Sequence, residues 1–120
     1  MRAPEPMPGL RLVGDAGTLD GLAWAPEVTA LRLAADDVLA LGASEAPRSS
    51  VLLETPDAGW MGWWLAPDEL ERVRHHTEWP LVAGLNQGLV AGVPAKVWLG
   101  PERSLLLVAR AYASELEARL

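Results

Sequence analysis

The chain has 120 residues, a net charge of −6, and an apolar half by composition. It contains no cysteine, which excludes a disulfide, a thiolate zinc site, an iron–sulfur cluster and a cysteine nucleophile. Its ten basic residues are scattered rather than gathered in a stripe, which speaks against nucleic acid or an anionic membrane as partner.

In chain order, residues 1–9 hold Pro4, Pro6, Pro8 and Gly9 and read as a flexible, extended Pro-rich leader. A single α+β domain is expected over residues 10–120. An apolar strand at 10–13 is followed by Asp15-Ala16-Gly17, a turn signal, and then by a second apolar stretch ending in Ala25-Pro26-Glu27. Pro26 at a first helical position, an acid behind it and Gly42 at the far end predict a helix between them. A competing reading makes 28–33 and 38–41 a hairpin across Ala34-Ala35-Asp36-Asp37; the alanine and leucine content favours the helix. Residues 43–50 read as a connecting loop.

The motif then recurs. Residues 57–68 repeat Asp-Ala-Gly, a glycine, and Ala-Pro-acid, matching Asp15 to Asp57, Gly21 to Gly62 and Pro26 to Pro67. Each copy is expected to be strand, turn, strand, helix, with 51–54 as the leading strand of the second copy and a polar helix starting at Pro67. The stretch from Trp79 to Gly92 carries three glycines and a proline, and is expected to loop, with a short strand or turn at 88–91. Residues 94–99 and 104–109 are strands around a turn at 100–103, and 110–120 is an amphipathic helix. The whole reads as three ββα units: an antiparallel sheet of about six strands with helices on one face.

Few residues carry chemistry. Glu71 and His75, one helical turn apart, suit two metal ligands, but no third is indicated and exposed histidines at a helix end are the simpler reading. The serines lack a neighbouring acid–histidine pattern, and no glycine motif matches a phosphate loop. No catalytic residue, metal or cofactor is therefore implied. No stretch of 18 apolar residues is present and the start of the chain does not read as a secretory signal, so a cytoplasmic setting is expected.

The six tryptophans are the anomaly, in a chain without Ile or Phe, a palette that fits a GC-rich bacterial genome. Trp24, Trp60, Trp63, Trp64, Trp79 and Trp98 are the candidate interface or ligand-binding residues. On a strand, Trp60 and Trp64 point to one face and Trp63 to the other. Core packing accounts for some of the six; a protein interface, where Trp is favoured, and an aromatic pocket compete for the rest.

The segment containing Val93-Pro94, the turn at 100–103, the strand around Leu105 and Ala111-Tyr112-Ala113 resembles the C-terminal part of the gamma subunit of heterotetrameric sarcosine oxidase, a relative of the glycine-cleavage T-protein. The resemblance implies a non-catalytic accessory subunit. It implies no folate or flavin site, since no residue here carries one. The expected function is thus a non-catalytic interaction or assembly module, pairing with itself or with another protein through Trp/Leu-rich hairpin surface. The alternative is a small-molecule-binding domain with a Trp-lined pocket.

Overall fold

The two Ala-Pro-acid motifs fold differently, and the residues behind them explain why. After Pro67 come helix formers, and Glu69 reaches back so that its carboxylate accepts the Ala66 N–H at 2.8 Å. This satisfies a donor that the first helical turn leaves open. A helix (α2, Pro67–His75) follows, as expected, with Asp68 and Glu69 in its first turn. After Pro26 come Glu27, Val28 and Thr29: an apolar residue stands where Glu69 stands in the other copy, and both it and Thr29 after it are β-branched. There Val28 donates to the Ala25 carbonyl at 3.0 Å, closing a turn instead of opening a helix. The expected helix is absent, and the hairpin reading is correct.

The computed structural model describes residues 1–47 and 53–120, so the first two residues of the strand expected at 51–54 lie outside the described residues, as do the last three of the 43–50 loop. The α+β class holds, with sheet predominating. The chain forms two compact units, Met7–Ala58 and a second made of Met1–Pro6 with Gly59–Leu120. Each has its own antiparallel sheet, so the single six-stranded sheet and the three-fold ββα scheme are replaced by sheets of five and four strands.

We number the strands β1 (Glu5–Pro6), β2 (Gly9–Val13), β3 (Thr29–Ala34), β4 (Asp37–Leu41), β5 (Leu53–Asp57), β6 (Trp60–Leu65), β7 (Gly84–Val90), β8 (Val93–Leu99) and β9 (Ser104–Ala109). The unit spanning 7–58 has the order β3-β4-β2-β5. Its first Asp-Ala-Gly opens a short helix (α1, Ala16–Asp20), not a hairpin turn, because the Asp15 carboxylate accepts the Thr18 N–H at 3.0 Å as an N-cap. Leu19 of that helix packs with Leu10, Leu12, Val38 and Ala40. The second Asp-Ala-Gly ends β5, which pairs with β2 and not with β6. The repeated letters therefore encode different structures. On the same sheet, the Arg11 guanidinium grips Asp37 through two bonds, at 2.5 and 2.6 Å, and lies 3.7 Å from Asp57. The bond to Asp37 is the main cause of the raised Arg11 pKa.

The other unit has the order β1-β6-β9-β8-β7. Here the third predicted unit appears as read: β8, a turn closed by Gly100 N–H to Arg103 O at 3.0 Å, β9, one 3₁₀ turn (Arg110–Tyr112) and a helix (α3, Ala113–Arg119). Of the stretch expected to loop, residues 79–83 do lie outside any strand, and the short strand or turn expected at 88–91 is instead the end of the seven-residue β7 and the turn after it. A two-residue turn, Ala91-Gly92, with φ of 50° and 79°, joins β7 to β8, and positive φ at both positions is what a tight hairpin requires. Pro94 is accommodated because the β8–β9 register begins only at Lys96. One face of the sheet is closed by helices: Val73 of α2 and Ala113 and Leu116 of α3 pack on Trp63, Val90, Val97, Leu106 and Val108.

The Pro-rich leader is tied down rather than free. Glu5 and Pro6 pair with Gly62 and Met61, and the Arg2 carbonyl accepts the Trp63 indole N–H at 2.7 Å. Arg2 also reaches the Glu69 carboxylate and the Trp64 carbonyl.

Candidate functional site

Strand register divides the tryptophans. In the five-stranded sheet Trp64 lies opposite Leu105, and Leu105 opposite Trp98, so these three form one row across β6, β9 and β8. Trp63, Leu106 and Val97 form the next row, which the alternation of side chains sends to the opposite face. That second row belongs to the helix-covered core. Trp60 and Trp64, two apart twice over, share the face away from the helices, and Trp98 joins them there.

The contacts agree. Trp64 and Trp98 meet edge to face, with centroids 6.3 Å apart and planes at 79°. The Arg103 guanidinium lies 3.7 Å from the Trp64 ring centre, supplied by the turn between β8 and β9. Lys96, the only lysine, sits 5.3 Å from the Trp60 ring centre and donates to the Gln87 side-chain oxygen at 2.6 Å. The face thus alternates aromatic rings with two cations held over them, an arrangement in which the ring quadrupole stabilises the charge. Beside Trp60 a depression of about 320 Å³ is walled by Gln87, Leu89, Pro94, Lys96 and Tyr112. Leu89 and Tyr112 are exposed there, Leu89 by 53%.

The remaining candidates lie elsewhere. Trp63 is 1% exposed and is a core residue, which removes it from the interface set. Trp79 is half-buried and lies against Gly88: a Cβ on that glycine would stand 2.6 Å from the Trp79 ring. Trp24 belongs to the other unit, half-buried against the Leu10–Leu12 cluster, outside any strand. It is not the structural equivalent of Trp64 that the repeated motif suggests. Three candidates, Trp60, Trp64 and Trp98, therefore share one sheet face, half-buried beside the fully enclosed Leu105 and Leu107, while the cavities beside Trp24, Trp60 and Trp79 each have a single tryptophan in their walls.

Lys96, Arg103, Leu89 and Tyr112 were not singled out by sequence. The signal for Lys96 was available: on a strand over 94–99 it shares a face with Trp98. Leu89 was hidden by the loop assignment. No group of three or more His, Asp or Glu side chains suited to a metal occurs among the described residues, and Glu71 is instead paired with Arg74 at 3.4 Å. His76 Nδ1 lies 2.9 Å from the Arg72 carbonyl, at the end of α2. Among the described residues no helix is long and apolar enough to cross a membrane.

No family model, no curated protein and no solved structure matches the chain.

Proposed function

We propose that the protein is a non-catalytic interaction module that presents the Trp60/Trp64/Trp98 face to a protein partner. The observation that carries this reading is the gathering of three half-buried tryptophans, with Lys96 and Arg103 set over their rings, on the sheet face opposite the helices. Trp, Tyr and Arg are the residues that dominate binding energy at protein interfaces, and Tyr112 and Arg103 border the same face. An accessory-subunit role, as the resemblance of the C-terminal segment to the sarcosine oxidase gamma subunit implies, agrees with it. Affinity capture from the source cells with wild-type chain and with a Trp60→Ser/Trp98→Ser variant tests it, folding being checked by circular dichroism. A partner retained by the wild type and lost by the folded variant supports the reading. Equal retention, or none by either, overturns it.

A second reading, a small-molecule site, draws on the Trp60 depression with Lys96 and Tyr112 in its wall. It expects quenching of tryptophan fluorescence by a member of a metabolite panel, lost in Trp60→Phe. An unresponsive spectrum across the panel counts against it.

A further inference from the structure

We infer that the cavity at the C-terminal end of α2 is a binding site for a small organic ammonium ion, a primary amine carried on an apolar body. The inference goes beyond the Trp60/Trp64/Trp98 face and the depression beside Trp60, and stands whether or not either of them takes a ligand.

The cavity measures about 430 Å³, within the range of small-ligand sites. His75, His76, Glu78 and Trp79 form one wall, and Leu89 and Ala91 the other. The first wall is the end of α2 and the residues after it; the second is the end of β7 and the turn into β8. Two contacts hold the walls at a fixed spacing. The Ala91 N–H donates to the His76 carbonyl at 2.8 Å. The Trp79 indole is pressed on Gly88, where a Cβ would stand 2.6 Å from the ring. The site is thus preformed, and its aromatic wall is rigid.

The polar groups in the walls select a cation. The Glu78 carboxylate has no ion-pair or hydrogen-bond partner among the described residues. His76 Nδ1 lies 2.9 Å from the Arg72 carbonyl, and a carbonyl only accepts, so Nδ1 carries the proton. In the neutral ring Nε2 is then left as an acceptor, also without a partner among the described residues. The end of α2 adds the negative pole of its macrodipole, and the Trp79 ring adds a quadrupole that attracts positive charge.

The chain's own cations near the site are engaged elsewhere. Arg119 bonds Glu115 and the Ala91 carbonyl, Arg74 pairs with Glu71, and Arg72 donates to the Leu120 carbonyl oxygen. An ammonium group with several N–H donors can serve Glu78 and His76 Nε2 together. An apolar body on that group meets Trp79, Ala91 and Leu89, and Leu89 is a large apolar side chain left 53% exposed. An anionic ligand of the same size would face Glu78 with no free cation in the walls.

The test uses the full chain at neutral pH with phenethylammonium as probe, read by the tryptophan indole N–H signals in heteronuclear NMR spectra. Trp79→Phe assigns the Trp79 signal. A saturable shift confined to that signal is expected at millimolar probe, as suits a ligand so small. Hydrocinnamate, alike in size and opposite in charge, is expected to bind at least about tenfold more weakly. Glu78 is exposed, so Glu78→Gln is expected to keep the remaining indole signals in place while weakening phenethylammonium about tenfold. No saturable shift up to about 20 mM probe, a response centred on another tryptophan, equal binding of the acid and the amine, or undiminished affinity in Glu78→Gln overturns the inference. Partner capture and the Trp60→Phe fluorescence response read the other face of the sheet, so each proposal can fail alone.

Discussion

The indole N–H of Trp63 donates to the carbonyl of Arg2 across 61 positions of sequence, at 2.7 Å. The bond satisfies the one polar atom of an otherwise enclosed side chain, as buried indoles require. It also fastens the first residues of the chain to the sheet.

Two substitutions separate its parts. Trp63→Phe keeps a ring in the core but gives up the donor and some volume, and is expected to cost about 1–2 kcal/mol. Trp63→Ala empties the site and is expected to cost about 3–5 kcal/mol. Urea denaturation reads both; a loss under about 1 kcal/mol for Trp63→Ala contradicts the core assignment.

Gly88 is small because Trp79 lies against it. Gly88→Ala is expected to destabilise by about 1–3 kcal/mol, since the new methyl meets a rigid ring and not a flexible chain end. In a Trp79→Ala background the same change is expected to be nearly neutral, and the double-mutant cycle measures the coupling. Equal costs in both backgrounds refute the contact as the cause.

At Ala91 the backbone φ is 50°, a region that L-residues with a Cβ enter at a cost. Ala91→Gly is expected to raise stability by about 0.5–1 kcal/mol, and Ala91→Val to lower it. Its N–H and carbonyl bonds, to His76 O and from Arg119, are backbone features that both variants keep. Thermal melting of the pair decides the matter by its order: Gly highest, Val lowest.

Acid stability has an identifiable contributor in Glu69. The Ala66 N–H, and then the Arg2 guanidinium, hold its carboxyl below the usual 4.5, against the opposing effect of burial. A carboxyl lowered in the folded state adds stability that is complete above its unfolded value and is lost as pH falls through its folded value. Glu69→Gln is expected to flatten the decline in stability between those two values. An unchanged acid limb in denaturation midpoints from pH 6 to pH 2.5 contradicts the assignment.

Legibility followed the range of the interactions that decide each element. The segment from β8 to α3 was readable because its signals are local: alternating strands, a Gly-Pro turn, then an amphipathic stripe. The helix expected after Pro26 failed because Val38, Leu39, Ala40 and Leu41 are all buried, and a strand apolar on both sides has no period of two to reveal it. The seven-residue β7 is hidden in the sequence because its glycines resemble loop punctuation, and the Ala91-Gly92 turn that pairs it with β8 puts alanine, not a residue that favours positive φ, at its first position. At the candidate site, the opposition of Trp63 to Trp60 and Trp64 was legible from strand alternation alone. The convergence of Trp98, Lys96 and Arg103 on that face needed the order β6-β9-β8, which depends on pairing between strands about 40 residues apart.

The unit that holds the tryptophan face is interrupted in the chain: its first six residues are separated from the rest by the whole of Met7–Ala58. During synthesis, β1 emerges long before the β6 strand it pairs with, whereas every strand of the intervening unit is complete by Asp57. The intervening unit is therefore the one able to form first, and in forming it shortens the effective loop that must close for Arg2 to find Trp63. In this chain the order of translation and the nesting of the two units favour the same sequence of assembly.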